Sequence, residues 1–523
     1  MTKRTTKFVT ALSLAVIVFA GINCFAATGL LFNAVGSSGA FNAFALAADS
    51  VTSECGTNIW TQKNGASGID NRSASIPANA GNIWIVWNNA ETTVCSYLAV
   101  DSVIGQQLFF AVTAAGVRSS TLSIPSSAIG SAGNNLIATL TDTALPSAVY
   151  NLLNNQPFNA APSDIRPEDA LFEETRVLTA LNGCVGLGYG PGPIGTTILS
   201  SQSTKSVTPV DYAISGKDPI TGGTVPTFKT TNVGAQAIMF FVNTTDTSAG
   251  GFGSSSAGVP VFQNVPRFVL ANMLNGNLTR TRDLADQTGL PSIGAHVFLR
   301  EPTSGTYTTT EFTVPRSLEI GSCQELNVNP AINNPLNIAY ASGGTRERVV
   351  GTGEMVSTVG ATTDSLGYAF WSTTSFAKVT GTTKYLTVDG VDPLFPYYGF
   401  SNGTFPTCTP PCPGAIPFTN IANGSYPAWN ILRVVTANPP PAGVATLITQ
   451  AESEVANITP DFLPLTELNV FRAHYVQSGK GASNGIITGR PESGGDVGGA
   501  VFTIQSDEDY FADTGKEFVG EKQ

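Results

Sequence analysis

Apolar strand-like runs that end in Gly/Ser turns and continue into helical patterns constrain the fold of this chain most. Residues 30–35 (LLFNAV) have the composition of a buried strand, residues 36–39 (GSSG) interrupt it, and residues 40–48 (AFNAFALAA) continue with a helical pattern. A helix N-terminus reached in this way presents unpaired N–H groups and partial positive charge, which can hold an anion. The alternative is that the turn only caps the helix, as most such turns do.

A second segment of this kind covers residues 161–169 (APSDIRPED) and leads into an amphipathic helical pattern at 171–181. Ser and Asp are common N-cap residues, so the ordinary interpretation of Ser163 and Asp164 is that they cap this helix.

The third segment is the most specific, because it adds a charged donor. The strand predicted for residues 295–299 (AHVFL) is followed by Arg300, and residues 304–306 (SGT) then open a helix. Arginine carries a planar fork of N–H donors that suits oxyanions. His296 lies on the same strand, where a packing or surface role is the ordinary one. The segment therefore predicts a guanidinium close to exposed N–H groups and two hydroxyls.

Composition excludes several classes of function. The 523 residues include 26 Lys and Arg against 37 Asp and Glu, a net charge of −11, and no basic run follows the first seven residues. A nucleic-acid-binding surface needs clustered Lys and Arg, so none is expected. The two histidines, His296 and His474, nearly exclude a multi-histidine metal centre. Neither lies near a nucleophile elbow, and we expect no enzymatic activity.

The start of the sequence predicts export. Residues 1–7 carry Lys3, Arg4 and Lys7, and the apolar run 8–22 follows. A basic segment before a short apolar one is typical of a secretory signal peptide, since a membrane-spanning helix needs about 20 apolar residues. We expect residues 1–26 to be removed after Ala26. A lipid anchor at Cys24 is the alternative.

Six cysteines remain after residue 26, and an even number in an exported protein indicates disulfides. They are Cys55, Cys95, Cys184, Cys323, Cys408 and Cys412. A zinc site is the alternative, but it would need paired close spacings. Six cysteines allow about 15 pairings, and proximity alone suggests Cys55 with Cys95 and Cys408 with Cys412.

Taken together, the three segments resemble the phosphate-binding proteins of ABC import, which have the type II periplasmic binding-protein fold. The first loop of that family is similar to residues 36–41 (GSSGAF), its Ser-Asp turn to residues 163–164, and its Arg-x-x-x-Ser-Gly-Thr loop to residues 300–306. Further similar segments follow in the family's order: 235–243, 268–279, 349–359, 364–368, 386–393 and 423–427. The resemblance touches most of residues 30–435.

The resemblance implies an α/β fold of two lobes with mixed sheets flanked by helices, here with long loop insertions. Lobe one would comprise residues 27–240 together with 366–523, and lobe two residues 241–365. The implied phosphate-binding residues are Ser37, Ser38, Gly39, Ala40, Phe41, Asp164, Arg300, Ser304, Gly305 and Thr306. No cofactor or metal is implied.

The resemblance also implies a function. The protein would be a monomer of the periplasm or extracellular space that captures phosphate or a similar oxyanion and delivers it to an ABC permease in the inner membrane. The Asp164 carboxylate can only accept hydrogen bonds, so it would demand a proton on the ligand. Hydrogen phosphate carries that proton and sulfate does not, which gives selectivity.

Several departures from the family keep a second function open. Asn42 replaces the proline that usually follows the first-loop phenylalanine, and the family's serine-glycine loop is matched only weakly by residues 64–68. Residues 75–160 and 181–234 are long for the family, and the tail from residue 459 onward, with its acidic end, has the pattern of a solvated, poorly ordered end. The alternative is therefore a structural or adhesive surface protein that keeps the fold without transport.

Overall fold

The structure of the protein is a computed structural model. It describes residues 29–50, 53–63, 81–137, 139–167, 216–256, 259–260, 263–274, 276, 278–285, 291–300, 304–314, 338–339, 343–349, 351–407, 415–457, 461–469, 471–472 and 501–502. The predicted signal peptide, the lipid-anchor alternative at Cys24, the helix predicted for 171–181 and the weak serine-glycine loop at 64–68 lie outside the described residues.

The strands range from two residues to the 16 of β6. Their bounds are β1 (Leu30–Ser37), β2 (Asn58–Gln62), β3 (Asn82–Trp87), β4 (Val94–Val100), β5 (Ala160–Ser163), β6 (Phe228–Asn243), β7 (Ser255–Ser256), β8 (Val259–Pro260), β9 (Asn264–Val265), β10 (His296–Arg300), β11 (Ile338–Ala339), β12 (Thr345–Val349), β13 (Ser365–Phe370), β14 (Thr383–Tyr385), β15 (Thr387–Val388), β16 (Trp429–Ala437), β17 (Phe471–Arg472) and β18 (Val501–Phe502). The segment similar to the family's interlobe strand, residues 235–243, forms the second half of β6.

Two of the helices predicted after a strand and a turn lie among the described residues, as α1 and α6. Their bounds are α1 (Phe41–Asp49), α2 (Ser102–Phe110), α3 (Ser147–Leu153), α4 (Arg267–Leu274), α5 (Thr281–Ala285), α6 (Gly305–Thr313), α7 (Gly351–Ala361), α8 (Thr373–Phe376), α9 (Thr419–Ala422) and α10 (Ala442–Asn457). Short 3-10 helices lie at Ser38–Ala40, Ser126–Ala128, Tyr398–Phe400 and Leu465–Glu467. Helix α1 begins one residue later than predicted, because a 3-10 turn precedes it.

One mixed sheet organises the described strands. It contains 12 of them in the order β11-β12-β10-β13-β6-β16-β5-β1-β4-β3-β2, with β14 paired to β6 beside this path. Strand β1 is parallel to β4 and β5, and β10 is parallel to β12 and β13, while β6 pairs antiparallel with both β13 and β16. The predicted α/β class, a mixed sheet flanked by helices, is confirmed.

Strand β6 passes through both halves of this sheet. Its residues 228–237 pair with β16, and its residues 238–242 pair with β13. Strands β4, β1 and β5 run in the direction of β6, whereas β12, β10 and β13 run against it. The carboxyl ends of both groups therefore point toward the middle of β6. Ligands of open α/β sheets bind outside the carboxyl ends of strands, where the strand order changes.

Helices cover both faces of the half that contains β1. Phe32 belongs to a buried cluster with Phe44 of α1 and Leu447 of α10, whereas Val35 belongs to a cluster with Ile104 of α2. Successive residues of a strand point to opposite faces, so two apolar clusters require β1 to be apolar on both. This explains why residues 30–35 form a nearly unbroken apolar run.

The disulfide Cys55–Cys95 is present and joins the segment before β2 to β4, with Cα atoms 5.5 Å apart. The pairing suggested by proximity is thus confirmed for these two cysteines. Cys184, Cys323, Cys408 and Cys412 lie outside the described residues.

Neither a membrane segment nor a metal cluster emerges from the part of the chain that the structure describes. Within those residues, every helix is too short or too polar to cross a bilayer. In the same residues, no three His, Cys, Asp or Glu side chains come close enough together to hold a metal ion.

Candidate functional site

The three segments singled out in the sequence meet beside the middle of β6. Strands β1, β5 and β10 end at Ser37, Ser163 and Arg300, and the helix α6 that follows β10 in the chain begins at Gly305. Because these strands approach from opposite halves of the sheet, their carboxyl ends face one another. The sheet order therefore brings together turns that are more than 100 residues apart in the chain.

The Asp164 carboxylate lies at the centre of this region and accepts hydrogen bonds from two serines. Ser37 Oγ donates to Oδ1 at 2.6 Å, and Ser102 Oγ donates to Oδ2 at 3.0 Å. The backbone N–H of Asp164 donates to Ser102 Oγ at 3.1 Å. All three side chains are buried. Asp164 is thus fixed from both β1 and the start of α2, not only from its own turn.

Burial raises the pKa of the Asp164 carboxyl, although the hydrogen bonds from Ser37 and Ser102 and the charges of Arg300 and Arg433 lower it in part. The net pKa is above the ordinary value, because a buried carboxylate loses the solvation of its charge. Added negative charge next to this group would raise the pKa further.

The third loop reaches Asp164 through Gly305, the first residue of α6. A Cβ atom added to Gly305 would lie 2.5 Å from Asp164 Oδ2 and from Asp164 Cβ. Only glycine permits this approach, which places the carboxylate against the N-terminus of α6. A negative group there is stabilised by the partial positive charge of the helix end. Ser304, immediately before the helix, is buried as well.

Arg300 is the buried cation of the predicted set, with 1% of its surface exposed. Its Nη1 donates to Thr306 Oγ1 at 3.0 Å and to Thr352 Oγ1 at 3.3 Å. Its Nη2 lies 3.7 Å from Asp101 Oδ1, and its backbone N–H donates to Tyr368 Oη at 3.2 Å. The guanidinium therefore connects the third loop, the start of α7 and the end of β4.

The first loop contacts both halves of the sheet. Gly39 N–H donates to Ser37 Oγ at 3.2 Å, which shapes the turn, and Ser38 Oγ lies 3.2 Å from Thr352 Oγ1. Ala40 is buried, and the Phe41 ring packs edge-on against Tyr97 with centroids 6.0 Å apart.

The aromatic residues behind the first loop hold its backbone. Trp84 Nε1 donates to the Phe41 carbonyl at 3.0 Å, and the Tyr97 hydroxyl donates to the Ser37 carbonyl. Burial, followed by the charge of Asp164, raises the pKa of Tyr97 well above its ordinary value, so this hydroxyl keeps its proton. These bonds leave the loop's hydroxyls directed at the neighbouring loops.

The structure brings all ten sequence-predicted site residues into this one region, while their role in binding stays a prediction. Sequence reasoning missed further residues there: Asp101, Ser102, Thr352, Asn430 and Arg433. Asp101 and Ser102 follow a strand and open a helix, as Thr352 does, so the same strand–turn–helix signal could have found them. Asn430 and Arg433 interrupt an apolar strand run, which is a weaker signal.

Asn430 and Arg433 support the site from β16. Asn430 Nδ2 donates to the Asp164 carbonyl at 2.5 Å and to Thr309 Oγ1 at 2.8 Å, so it ties the second loop to α6. Arg433 is fully buried and its Nη1 donates to the Ile431 carbonyl at 2.8 Å. Its charge acts on Asp164.

Buried arginines and buried aspartates lie side by side in the region: Arg300, Arg433 and Arg166 with Asp101 and Asp164. Because the aspartates offset positive charge, hydroxyls and N–H groups at helix starts would contribute a large part of the binding of an anion. Hydrogen bonds to a charged partner contribute about 1.5–3 kcal/mol each, so several of them outweigh screened long-range repulsion from an acidic protein. The arrangement is suited to holding a small oxyanion.

No protein-family model matches the chain, and no curated protein matches it. Among solved structures, it is similar to a phosphate-binding protein from Stenotrophomonas maltophilia, with 12% identity, TM-score 0.34, and coverage of 84% of this chain and 91% of that one. It is similar to the high-affinity periplasmic phosphate-binding protein PfluDING, bound with phosphate, with 10% identity, TM-score 0.35, and coverage of 83% and 90%.

A third similar structure is a Clostridium perfringens protein described as a phosphate ABC transporter substrate-binding protein with bound phosphate. The identity is 15% and the TM-score 0.27, and the match covers 43% of this chain. The chain spans 65% of the length of that protein. The phosphate named in these descriptions is what those three proteins bind.

Proposed function

We propose that the chain is an exported solute-binding protein that captures phosphate or a similar oxyanion between two lobes and delivers it to an ABC permease. It would act as a monomer in the periplasm or outside the cell. One observation carries the proposal: three loops from distant parts of the chain place Ser37, Asp164 and Arg300 in one buried polar region. The sequence pattern alone predicts all three as site residues.

Capture would use the donors around Asp164 and Arg300. Oxyanion oxygens would accept from the serine and threonine hydroxyls, from N–H groups at helix starts and from the guanidinium. Asp164 would accept the proton of a hydrogen phosphate. The lobes would be the segments 27–240 with 366–523 and 241–365.

Closure would be coupled to binding through contacts that join the two halves of the sheet. Ser38 meets Thr352 at 3.2 Å, and Asp101 meets Arg300 at 3.7 Å. The first residue of each pair follows β1 or β4, and the second follows β12 or ends β10. A hinge motion would separate these pairs and admit a ligand, as in other two-lobed binding proteins.

One observation favours the alternative, a structural or adhesive protein that keeps the fold without transport. Several polar groups of the region already satisfy one another: both oxygens of Asp164 accept from serines, and Arg300 donates to two threonines. A permanently closed network of this kind would serve stability alone.

Isothermal titration of the purified protein with phosphate, sulfate and glycerol phosphate separates the two functions. The transport function predicts phosphate binding at micromolar or lower Kd, with sulfate much weaker. Absence of heat with every anion, from protein shown to be folded by circular dichroism, would establish the structural alternative instead.

The substitution Asp164→Asn is expected to relax selectivity between phosphate and sulfate. In the unchanged protein, a sulfate oxygen has no proton to donate to the buried Asp164 carboxylate. This unpaired acceptor makes the binding free energy of sulfate less favourable by about 1–3 kcal/mol or more. The amide can donate as well as accept, so the ratio of the two affinities should fall about tenfold or more. Titration of both anions into both proteins measures the ratio.

Asp389→Asn is the matched control, since Asp389 forms a partly exposed ion pair with Arg267 at 3.4 Å. It should leave both affinities unchanged. If the ratio of phosphate affinity to sulfate affinity is the same in the unchanged protein and in Asp164→Asn, Asp164 does not select the ligand by accepting a hydrogen bond from its proton.

A further inference from the structure

Gln236 lies at the middle of β6, where the pairing of that strand changes partner. Its neighbour Ala237 pairs with Trp429 of β16, and Ile238 pairs with Phe370 of β13. The Gln236 side chain is 1% exposed. The carboxyl ends of the parallel strands in both halves point toward this position, so the side chain is buried beside the candidate site.

The orientation of the Gln236 amide is fixed by one hydrogen bond. Nε2 donates to the Trp371 carbonyl at 2.7 Å. The reversed amide would set two carbonyl oxygens against each other, so the nitrogen must face Trp371. Oε1 therefore points away from Trp371, and it receives no hydrogen bond from any residue that the structure describes. A buried amide oxygen without a donor is rare in folded proteins.

This orphan acceptor faces the first loop of the site. A Cβ atom added to Gly39 would lie 2.8 Å from Gln236 Oε1 and 3.4 Å from Ser37 Oγ. The Cβ that Gly39 lacks would collide with the amide oxygen, so glycine allows Gln236 Oε1 to lie directly beside the loop whose Ser37 donates to Asp164. The Phe370 ring lies 3.4 Å from the same point and bounds it on the apolar side.

We propose that Gln236 Oε1 is a second acceptor for the ligand, and that the site takes the dihydrogen form of a tetrahedral oxyanion. This rests on the proposed function, in which Asp164 accepts one ligand proton. Two buried acceptors that face the same anion require two O–H groups on it, because an oxygen without a proton would leave one acceptor unpaired. Dihydrogen phosphate has two such groups, hydrogen phosphate one and sulfate none.

Buried titratable and charged groups lie at the region on several elements: Tyr97 and Asp101 at β4, Asp164 and Arg166 after β5, Arg300 at β10, Tyr368 on β13 and Arg433 on β16. Burial raises the pKa of Asp164, so the ionisation of this carboxyl could itself change anion affinity with pH. The test must therefore separate Gln236 from Asp164.

Phosphate titrations at about pH 6 and about pH 8.5 provide that separation, because phosphate loses one of its two protons across this range. Affinity of the unchanged protein should fall at least about tenfold, in proportion to the dihydrogen fraction. Gln236→Met keeps the length of the side chain and removes the acceptor. Its affinity should change less than about threefold across the same range, since Asp164 alone needs a single proton.

Gln450→Met, which removes a distant glutamine that accepts from Ser50 Oγ at 3.2 Å, is the control and should keep the pH dependence of the unchanged protein. If the unchanged protein binds phosphate with the same affinity at both pH values, the role of Gln236 is overturned. This outcome is measured on the unchanged protein alone, so it does not depend on whether a variant folds. An equal fall in the unchanged protein and Gln236→Met assigns the dependence to Asp164 and also overturns it. Absence of phosphate binding at either pH overturns the proposed function itself.

Discussion

Replacing Arg300 with alanine is expected to weaken phosphate binding by about 100-fold or more. The loss of two or more hydrogen bonds to a charged ligand, at about 1.5–3 kcal/mol each, gives at least this factor. The variant would also leave the carboxylates of Asp101 and Asp164 with less positive charge beside them, so the region would repel an anion. Isothermal titration of phosphate into the folded variant measures the loss.

Arg300→Lys tests whether the charge or its geometry matters. Lysine keeps the positive charge but cannot offer a planar fork to Thr306, Thr352 and a ligand oxygen at the same time. Its affinity should lie between those of the unchanged protein and the alanine variant, about tenfold below the former.

Arg267→Ala is the matched control, because Arg267 is a partly exposed arginine paired with Asp389. It should bind phosphate like the unchanged protein. If Arg300→Ala is folded by circular dichroism and binds phosphate within threefold of the unchanged protein, the guanidinium does not bind the ligand and the proposed site is wrong.

The residue types of the site could be predicted from the sequence because each group of them lies within one short turn of the chain. A strand that ends in Gly, Ser or Arg and opens a helix can be recognised from about ten residues, as at Ser37 and Ser304. The α/β class follows from the recurrence of this pattern. Each turn alone remained ambiguous, since the same residues also cap ordinary helices.

The partners of these residues could not be predicted, because they depend on the order of strands in the sheet. Nothing local to Arg300 indicates that Asp101, 199 positions earlier, lies 3.7 Å from its guanidinium. Thr352 is 314 positions after Ser38, and Gln236 also lies far along the chain from the first loop. Their contacts arise only once β6 aligns the carboxyl ends of both halves.

Gly36 is needed near the end of the first strand for a reason other than the one that the sequence pattern suggests. The sequence suggested that this glycine breaks the strand, yet it lies inside β1 and pairs with Ala99 of β4. Glycine is required at this position because β1 and β5 pack closely there. A Cβ atom added to Gly36 would lie 2.0 Å from the Pro162 carbonyl oxygen of β5. Gly105 of α2 approaches from another side, since its own added Cβ would lie 2.5 Å from Gly36 Cα.

Gly36→Ala is therefore expected to destabilise the protein by about 3 kcal/mol or more, at the upper end of the cost of overpacking. The added methyl group meets backbone and not a movable side chain, so β1 must shift away from β5 or from α2. Either shift displaces Ser37 relative to Asp164, and phosphate affinity should fall together with stability. Urea denaturation followed by tryptophan fluorescence measures the change in free energy of unfolding.

Gly353→Ala is the control with the opposite expected sign. Gly353 lies in α7 next to Thr352, and an added Cβ would have no atom within 4 Å, so alanine should leave stability unchanged or raise it by up to about 1 kcal/mol. A Gly36→Ala variant with the same unfolding midpoint and slope as the unchanged protein would show that β1 and β5 are not packed as closely as the structure has them. The proposed site would then be in doubt, because the close packing of β1 against β5 is what places Ser37 next to Asp164.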